Sequence, residues 1–166
     1  MTMKTLRKYR NNGAVGALLD EYEKVIDELI TTISGLEDQA LVMVVDPETP
    51  GEDCRSIQTV LAHVVQSGYT YAVEIRKWLG ESAYYRNTQR LTSERAYAGA
   101  LREMFQYTEQ LFLDHPDLKL TEYDNTQKLV TRWGQTFDIE QLMQHAIVHI
   151  LRHRRQIERF KLKLAL

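Results

Sequence analysis

Three histidines recur at every fourth position in the stretch HAIVHILRHRRQ, as His145, His149 and His153. Positions four apart on a helix differ by about 40° around the axis and about 6 Å along it, so two such imidazoles can bind one metal ion. His145 and His153 are separated by about 12 Å along the axis, which is too far for both to bind the same ion. The spacing therefore predicts two metal ligands from this helix.

The apolar residues around the histidines indicate which two are involved. His149 and His153 lie within about 20° of Leu142 around the helix, in the middle of the apolar stripe. His145 lies about 60° from Leu142, at the edge of the stripe. His149 and His153 form the better pair, because buried imidazole nitrogens need partners and a shared ion would provide one. A buried histidine pair that is hydrogen-bonded and holds no metal is the alternative that this short pattern leaves open.

A third ligand has to come from elsewhere in the chain, where His63 and His115 are the other histidines. His63 lies about 100° from Val64, on the flank of its apolar stripe, where it can face a cleft between helices. His115 lies in DHPD, which is typical of an exposed turn. The sequence thus predicts a site formed by His63, His149 and His153, with a coordination position open to water or substrate.

Other polar residues near the histidines give weaker indications. Arg152, Arg154 and Arg155 predict a solvated basic face, with one arginine binding an anionic substrate group as the alternative. Ser67 and Glu74 lie on the same side of their helix as the early histidine, but neither is a strong candidate for a general base. The motif HExxH is absent from the sequence, which argues against a zincin-type protease.

Four amphipathic segments have to position these side chains. Their apolar residues follow the helical period in four stretches, residues 15–33, 56–80, 92–114 and 138 to near the end of the chain. Ser56 is a predicted N-cap, and KLVTRWGQTF predicts a short hairpin or an extended loop within residues 118–136. We predict an all-α fold, a four-helix bundle with long inter-helix loops and that hairpin before the last helix.

Length and composition narrow the class of protein. The chain of 166 residues fits one domain, residues 1–166, and its net charge of −2 gives no overall footprint for nucleic acid. Cys54 is the only cysteine, which fits a reducing compartment. The basic N-terminus lacks the apolar core of a signal peptide, and no apolar run has the length of a membrane span. We expect a cytoplasmic protein without nucleic-acid or membrane partners.

Three stretches resemble the DinB/YfiT-like family, a family of DNA-damage-inducible four-helix proteins. HILRHRRQI is similar to the HxxxHRGQ signature of that family, SIQTVLAHV resembles its early histidine motif, and RWGQTFDIEQLMQHA resembles the stretch leading into its last helix. The resemblance spans residues 56–160. It implies metal ligands at His63, His149 and His153, in agreement with the helical positions.

The resemblance also implies properties that spacing does not give. His145 would be an additional histidine beside the ligands, and Gln156 matches a family glutamine that could orient one of them. Arg155 departs from the family, which commonly has glycine there, and this difference bears on substrate fit. The family implies a divalent ion such as zinc or nickel, and a homodimer.

Two functions are compatible with these residues. The preferred one is a metal-dependent enzyme, a transferase of a low-molecular-weight thiol or a hydrolase, acting on a small-molecule substrate. Thiol transfer is favoured because no carboxylate base is evident for hydrolysis, whereas a thiol bound to a metal ionises readily. The alternative is a non-catalytic, metal-binding stress-response or interaction protein, for which the metal would be structural or sensory.

Overall fold

The computed structural model describes residues 9–166 and is dominated by four long helices. Residues 1–8 belong to the basic N-terminus, so part of the prediction about a signal peptide lies outside the described residues. The elements follow in the order α1 (Gly13–Ile33), α2 (Asp38–Val42), a 3₁₀ turn (Glu52–Cys54), α3 (Ile57–Trp78), α4 (Glu94–Asp114), β1 (Leu129–Val130), β2 (Thr136–Phe137) and α5 (Ile139–Lys163). The predicted all-α fold is confirmed.

The long helices surround one apolar core. Helix α1 packs against α4 and α5, and α3 packs against the same two helices, so α4 and α5 each contact both α1 and α3. Each long helix contributes fully buried side chains, among them Tyr22, Leu61, Leu101 and Ile157. Burying a side chain of this size stabilises the fold by about 1.5–3 kcal/mol. The α3–α5 contact matters most here, because it joins the two helices that carry the candidate ligands.

Capping boxes fix the beginnings of α3 and α5. Ser56 accepts a hydrogen bond from the backbone N–H of Thr59 at 3.1 Å, and Asp138 accepts one from the backbone N–H of Gln141 at 2.8 Å. In both cases the third helical residue returns a bond to the N-cap backbone. Such caps stabilise a helix by about 1 kcal/mol and define where it starts. The prediction of Ser56 as an N-cap is confirmed.

The short hairpin predicted before the last helix is present. Its strands β1 and β2 pair antiparallel, with Leu129 opposite Phe137. Gly134 in the connecting turn has φ 85°, a conformation that glycine adopts without strain. The turn places the ring of Trp133 at 6.0 Å from the ring of Tyr71 on α3. The hairpin therefore covers one side of the α3–α5 cleft.

Helix α2 is a single turn that the periodicity does not predict. Five residues are too few to show a helical period, and only Leu41 of this helix is buried. Within residues 9–166, no helix is both long enough and apolar enough to cross a membrane.

Helices α3 and α4 approach each other closely at Gly68. A Cβ atom added at this position would lie 2.2 Å from Sδ of Met104 and 2.7 Å from its Cγ. Met104 is fully buried, and its Sδ accepts a hydrogen bond from the hydroxyl of Tyr22 at 3.3 Å. The absence of a side chain at Gly68 is what makes room for Met104 in the core.

Two glycine substitutions should therefore have opposite effects on stability. In Gly68→Ala, the displacement of Met104 should outweigh the gain in helix propensity and lower the free energy of unfolding by about 1–2 kcal/mol. In Gly99→Ala on α4, where an added Cβ meets nothing within 4 Å, the same change should raise it by about 0.5–1 kcal/mol. Urea denaturation measures both values, and an equal gain in the two variants would contradict the close contact.

Candidate metal centre

Three imidazoles from α3 and α5 point their Nε2 atoms at one another. Nε2 of His149 lies 3.1 Å from Nε2 of His63 and 3.2 Å from Nε2 of His153. One ring nitrogen from each histidine lies within 4.8 Å of the other two, and among the described residues these three form the one group of histidine, cysteine or acidic side chains close enough to hold a metal ion. The structure thus brings together the three histidines predicted from the sequence.

The opposite edges of two rings are also held in place. Nδ1 of His153 lies 2.9 Å from Oε1 of Gln156, which can only accept a hydrogen bond, so this nitrogen carries the proton. Nδ1 of His63 lies 3.6 Å from Oδ2 of Asp53, a distance that suits attraction rather than a direct hydrogen bond. With the proton of His153 on Nδ1, its Nε2 presents a lone pair to the cluster.

Burial keeps the three imidazoles neutral. His149 and His153 are only 5% and 4% exposed. Desolvation, with His153 as the next contribution, lowers the pKa of His149 to about 2, and desolvation lowers the pKa of His153 to about 4. The pKa of His63 is also lowered by desolvation, against the attraction of Asp53. Neutral imidazoles with free lone pairs are the form in which histidine binds metals.

The donor set fits a divalent ion. Three nitrogens bound tetrahedrally at about 2.0–2.1 Å from one ion are separated from each other by about 3.3 Å, close to the 3.1 and 3.2 Å found here. Without a cation the cluster is poorly satisfied, because neutral His149 can donate from Nε2 to only one of its two neighbours. At least one pair of nitrogens then faces each other without a shared proton, which is costly in a buried site.

A cavity of about 420 Å³ opens on one side of the cluster, and we call it the aromatic cavity. Its lining is His63, Gln66, Ser67, Thr70, Tyr71, Arg132, Trp133, His145, His149 and Arg152. No carboxylate belongs to this lining, which consists entirely of described residues. Burial raises the pKa of Tyr71 to about 12, so its hydroxyl keeps its proton at neutral pH and can donate a hydrogen bond.

A second cavity, also of about 420 Å³, opens on the other side, and we call it the basic cavity. Its lining is Asp46, Cys54, His63, Arg152, His153, Arg155, Gln156, Arg159, Phe160 and Lys163. His63 and Arg152 belong to both cavities. The histidine cluster therefore lies between an aromatic and a basic compartment, and is accessible from both.

The two neighbours implied by the resemblance lie beside the cluster. The ring centre of His145 lies 6.3 Å from that of His149 and 5.4 Å from that of Tyr71. His145, Tyr71 and Trp133 form one side of the aromatic cavity, which we call the aromatic wall. Gln156 accepts from His153 and donates from Nε2 to the backbone carbonyl of Cys54 at 3.4 Å. Gln156 thereby joins α5 to the 3₁₀ turn, which is the placement expected of a residue that orients a ligand.

The prediction that His115 is an exposed turn residue is wrong. Its ring is half-buried, and its Nε2 contacts Oε1 of Glu81, the first residue after Gly80. The same carboxylate group is bound by Arg76 at 2.7 Å. The DHPD motif does end α4. The contact between His115 and Glu81, however, joins residues 34 positions apart, and the local sequence around His115 does not predict it.

The prediction of a solvated basic face is correct for Arg152 and Arg155, which are exposed, and wrong for Arg154. Arg154 pairs with Glu28 on α1 and lies 3.5 Å from Glu158. The side chain of Arg154 extends from α5 toward α1 and joins the two helices.

Neither Ser67 nor Glu74 has the environment of a general base. Glu74 is buried, and its Oε1 accepts hydrogen bonds from the Tyr85 hydroxyl and the backbone N–H of Arg132, both at 3.0 Å. This carboxylate therefore anchors the hairpin turn. Ser67 lines the aromatic cavity and interacts with the hydroxyl of Tyr71.

The aromatic wall was not predicted from the sequence. Tyr71 follows Ser67 by four positions, so its place on the same face of α3 was available as a signal. Trp133 lies in a turn, where periodicity carries no information, and its position depends on how the hairpin folds back on the bundle.

Metal-free protein should lose stability as the pH falls below 6.5. The pKa of His149 and His153 in the fold is lower than in an unfolded chain, so unfolding takes up protons in this range. Each histidine should reduce the free energy of unfolding by up to about 1.4 kcal/mol per pH unit, until the pH reaches its folded pKa. Urea denaturation in the presence of a chelator measures the slope. Identical slopes between pH 6.5 and 4.5 in wild type and His149→Gln would contradict a buried neutral histidine.

Comparison with known proteins agrees with the geometry. No curated protein matches the chain significantly. The model of the DinB family matches residues 11–159, which include all four long helices almost to their ends and all three clustered histidines. The match covers well over half of the chain, and the chain belongs to the DinB family.

Proposed function

We propose that this protein is a metal-dependent enzyme that transfers a low-molecular-weight thiol to an electrophilic small molecule. His63, His149 and His153 would hold the divalent ion, zinc or nickel. The observation that carries the proposal is the convergence of three neutral Nε2 atoms between two cavities. A closed structural site would surround its ion with protein ligands, whereas three histidines leave a position for a reactant.

A bound divalent ion would supply Lewis-acid chemistry, lowering the pKa of a thiol or water so that a nucleophile exists at neutral pH. The residues of the chain do the rest. Gln156 fixes the tautomer of His153, and the 5% exposure of His149 limits access by bulk water. Tyr71 and Trp133 of the aromatic wall provide a surface against which an electrophile can lie.

Thiol transfer fits this site better than hydrolysis. Activation of water commonly uses a carboxylate or a histidine as a general base. No carboxylate belongs to the described lining of the aromatic cavity. Burial lowers the pKa of His145, the histidine of this lining that lies outside the cluster, which makes it a weaker base. Among the described residues that line the basic cavity, Asp46 is the one carboxylate. A thiol, with an ordinary pKa near 8.5, needs little more than a nearby cation to ionise.

Metal binding should depend on all three histidines. Untagged wild-type protein should bind about one equivalent of zinc or nickel per chain, and His63→Ala, His149→Ala and His153→Ala should each lose most of that affinity. His145→Ala is the matched control, because it removes a neighbouring histidine of α5 that lies outside the cluster. Elemental analysis and competition with a metal-sensitive dye measure the stoichiometry and affinity. Wild-type protein that cannot be loaded with either ion would rule out the site.

Loaded protein should catalyse thiol transfer. With 1-chloro-2,4-dinitrobenzene, the thiol sulfur would form a bond to the aromatic carbon, chloride would leave, and the thiol proton would pass to buffer. The rate above background should fall by roughly a hundredfold or more in His149→Ala, because metal activation is worth several kcal/mol. Absorbance of the thioether measures turnover for a panel of thiols.

A metal-dependent rise in thermal stability with no turnover of any thiol or ester would instead favour the non-catalytic metal-binding protein. The homodimer, the cytoplasmic location and the lack of nucleic-acid and membrane partners stay predictions.

A further inference from the structure

Four cationic side chains of α5 line the basic cavity: Arg152, Arg155, Arg159 and Lys163. Their spacings of three, four and four residues place them within about 80° of one another around the helix, in a row about 16 Å long. The row begins one residue before His153 and runs away from the histidine cluster. One face of α5 therefore carries a row of positive charges that starts beside the candidate metal site.

These four cations lack the partners that other basic residues of α5 have. Arg154 pairs with Glu28 and Glu158, and Lys161 donates to the carbonyl of Thr32 at 2.8 Å. Within residues 9–166, none of the four cavity cations forms an ion pair with an acidic side chain. The only acidic residue in the described lining is Asp46. Such an excess of positive charge in a cavity attracts an anion.

The wall opposite the cations is fixed by backbone hydrogen bonds. The N–H groups of Val45 and Asp46 both donate to the carbonyl of Arg55, at 2.8 and 3.2 Å. Gln156 joins the carbonyl of Cys54 to α5. A volume of about 420 Å³ lies within the range of pockets that bind small molecules. The cavity is therefore bounded on both sides and open to the histidines at one end.

We propose that the basic cavity binds the anionic part of the thiol substrate, a small molecule carrying two or more carboxylate or phosphate groups. This inference rests on the proposed function for the placement of the thiol at the histidine cluster, but the anion site itself depends only on the cations. Guanidinium groups bind carboxylate and phosphate oxygens in pairs. A thiol held at both ends would be oriented for reaction.

A nucleic acid is a poorer fit to these cations. The chain has a net charge of −2. The four cations without an acidic partner in the described part of the chain line one cavity, instead of spreading over a surface that could follow a phosphate backbone. The site suits a compact anion of a few charges.

Isothermal titration calorimetry with three probes tests the proposal at low ionic strength. Succinate carries two carboxylates, monothioglycerol carries a thiol without charge, and mercaptosuccinate carries both. Succinate should bind metal-free wild-type protein, and its Kd should rise with added salt. Mercaptosuccinate should bind zinc-loaded protein at least tenfold more tightly than either of the other probes.

Paired charge variants identify the site. Arg155→Gln/Arg159→Gln should weaken succinate binding at least tenfold, since both side chains are exposed on α5 and their loss should leave the core intact. Arg95→Gln/Arg102→Gln on α4 removes the same charge from another exposed helix face and should leave the Kd unchanged. The proposal is overturned if succinate shows no saturable binding, if both double variants weaken it equally, or if duplex DNA binds more tightly than succinate through the cavity arginines.

The two proposals fail separately in this experiment. If zinc and nickel do not bind but succinate still binds metal-free protein through Arg155 and Arg159, the metal-dependent function fails and the anion site stands. If the ion binds and thiols turn over without any effect of the arginine variants, the function stands and the anion site fails.

Discussion

The packing of three neutral imidazoles against one another, with His149 and His153 buried and His63 partly buried, is the constraint on which the rest of this structure depends. Each ring brings polar nitrogens into a core built from apolar side chains, and a buried nitrogen without a partner costs about 1–3 kcal/mol. Nε2 of His149 lies within 3.2 Å of two other imidazole nitrogens. This arrangement disfavours protonation of the imidazoles and favours the binding of a metal cation. The apolar bundle has to supply the stability that this arrangement lacks.

The elements around the cluster reduce the freedom of each ring. Capping boxes at Ser56 and Asp138 define where α3 and α5 begin, and packing between these helices sets the distance from His63 to the pair on α5. Gln156 then fixes the orientation of His153 and attaches α5 to the turn that holds Asp53 beside His63. Local caps therefore set the helical register, and a few long-range hydrogen bonds set the geometry of the donors.

The sequence predicted what depends on local periodicity. The four long helices and the central positions of His149 and His153 follow from the apolar pattern, because one face of each helix has to enter the core. The hairpin follows from the β-prone residues around Gly134, which predicted either a hairpin or an extended loop. His63 lay on a flank in that pattern, where it could face a cleft between helices, and the family resemblance supported its choice as the third ligand. The errors at His115 and Arg154 have one cause: each pairs with an acidic residue on a distant element. The place of Trp133 likewise depends on tertiary packing.

In the proposed transfer reaction, the two cavities would bind different parts of the reactants. Tyr71, Trp133 and His145 give one side an aromatic lining with a hydroxyl that can donate a hydrogen bond. The other side carries four cations that have no acidic partner within residues 9–166, and these would attract an anion. A reactant that satisfies the cations has its remaining atoms directed toward the histidines, since His63 and His153 close the same cavity. Arg155, the position at which the sequence departs from the signature that it resembles, contributes one of the cations of that wall. If the proposed transfer takes place, the charge of the thiol would determine which substrate binds, and the metal held by the histidines would activate it.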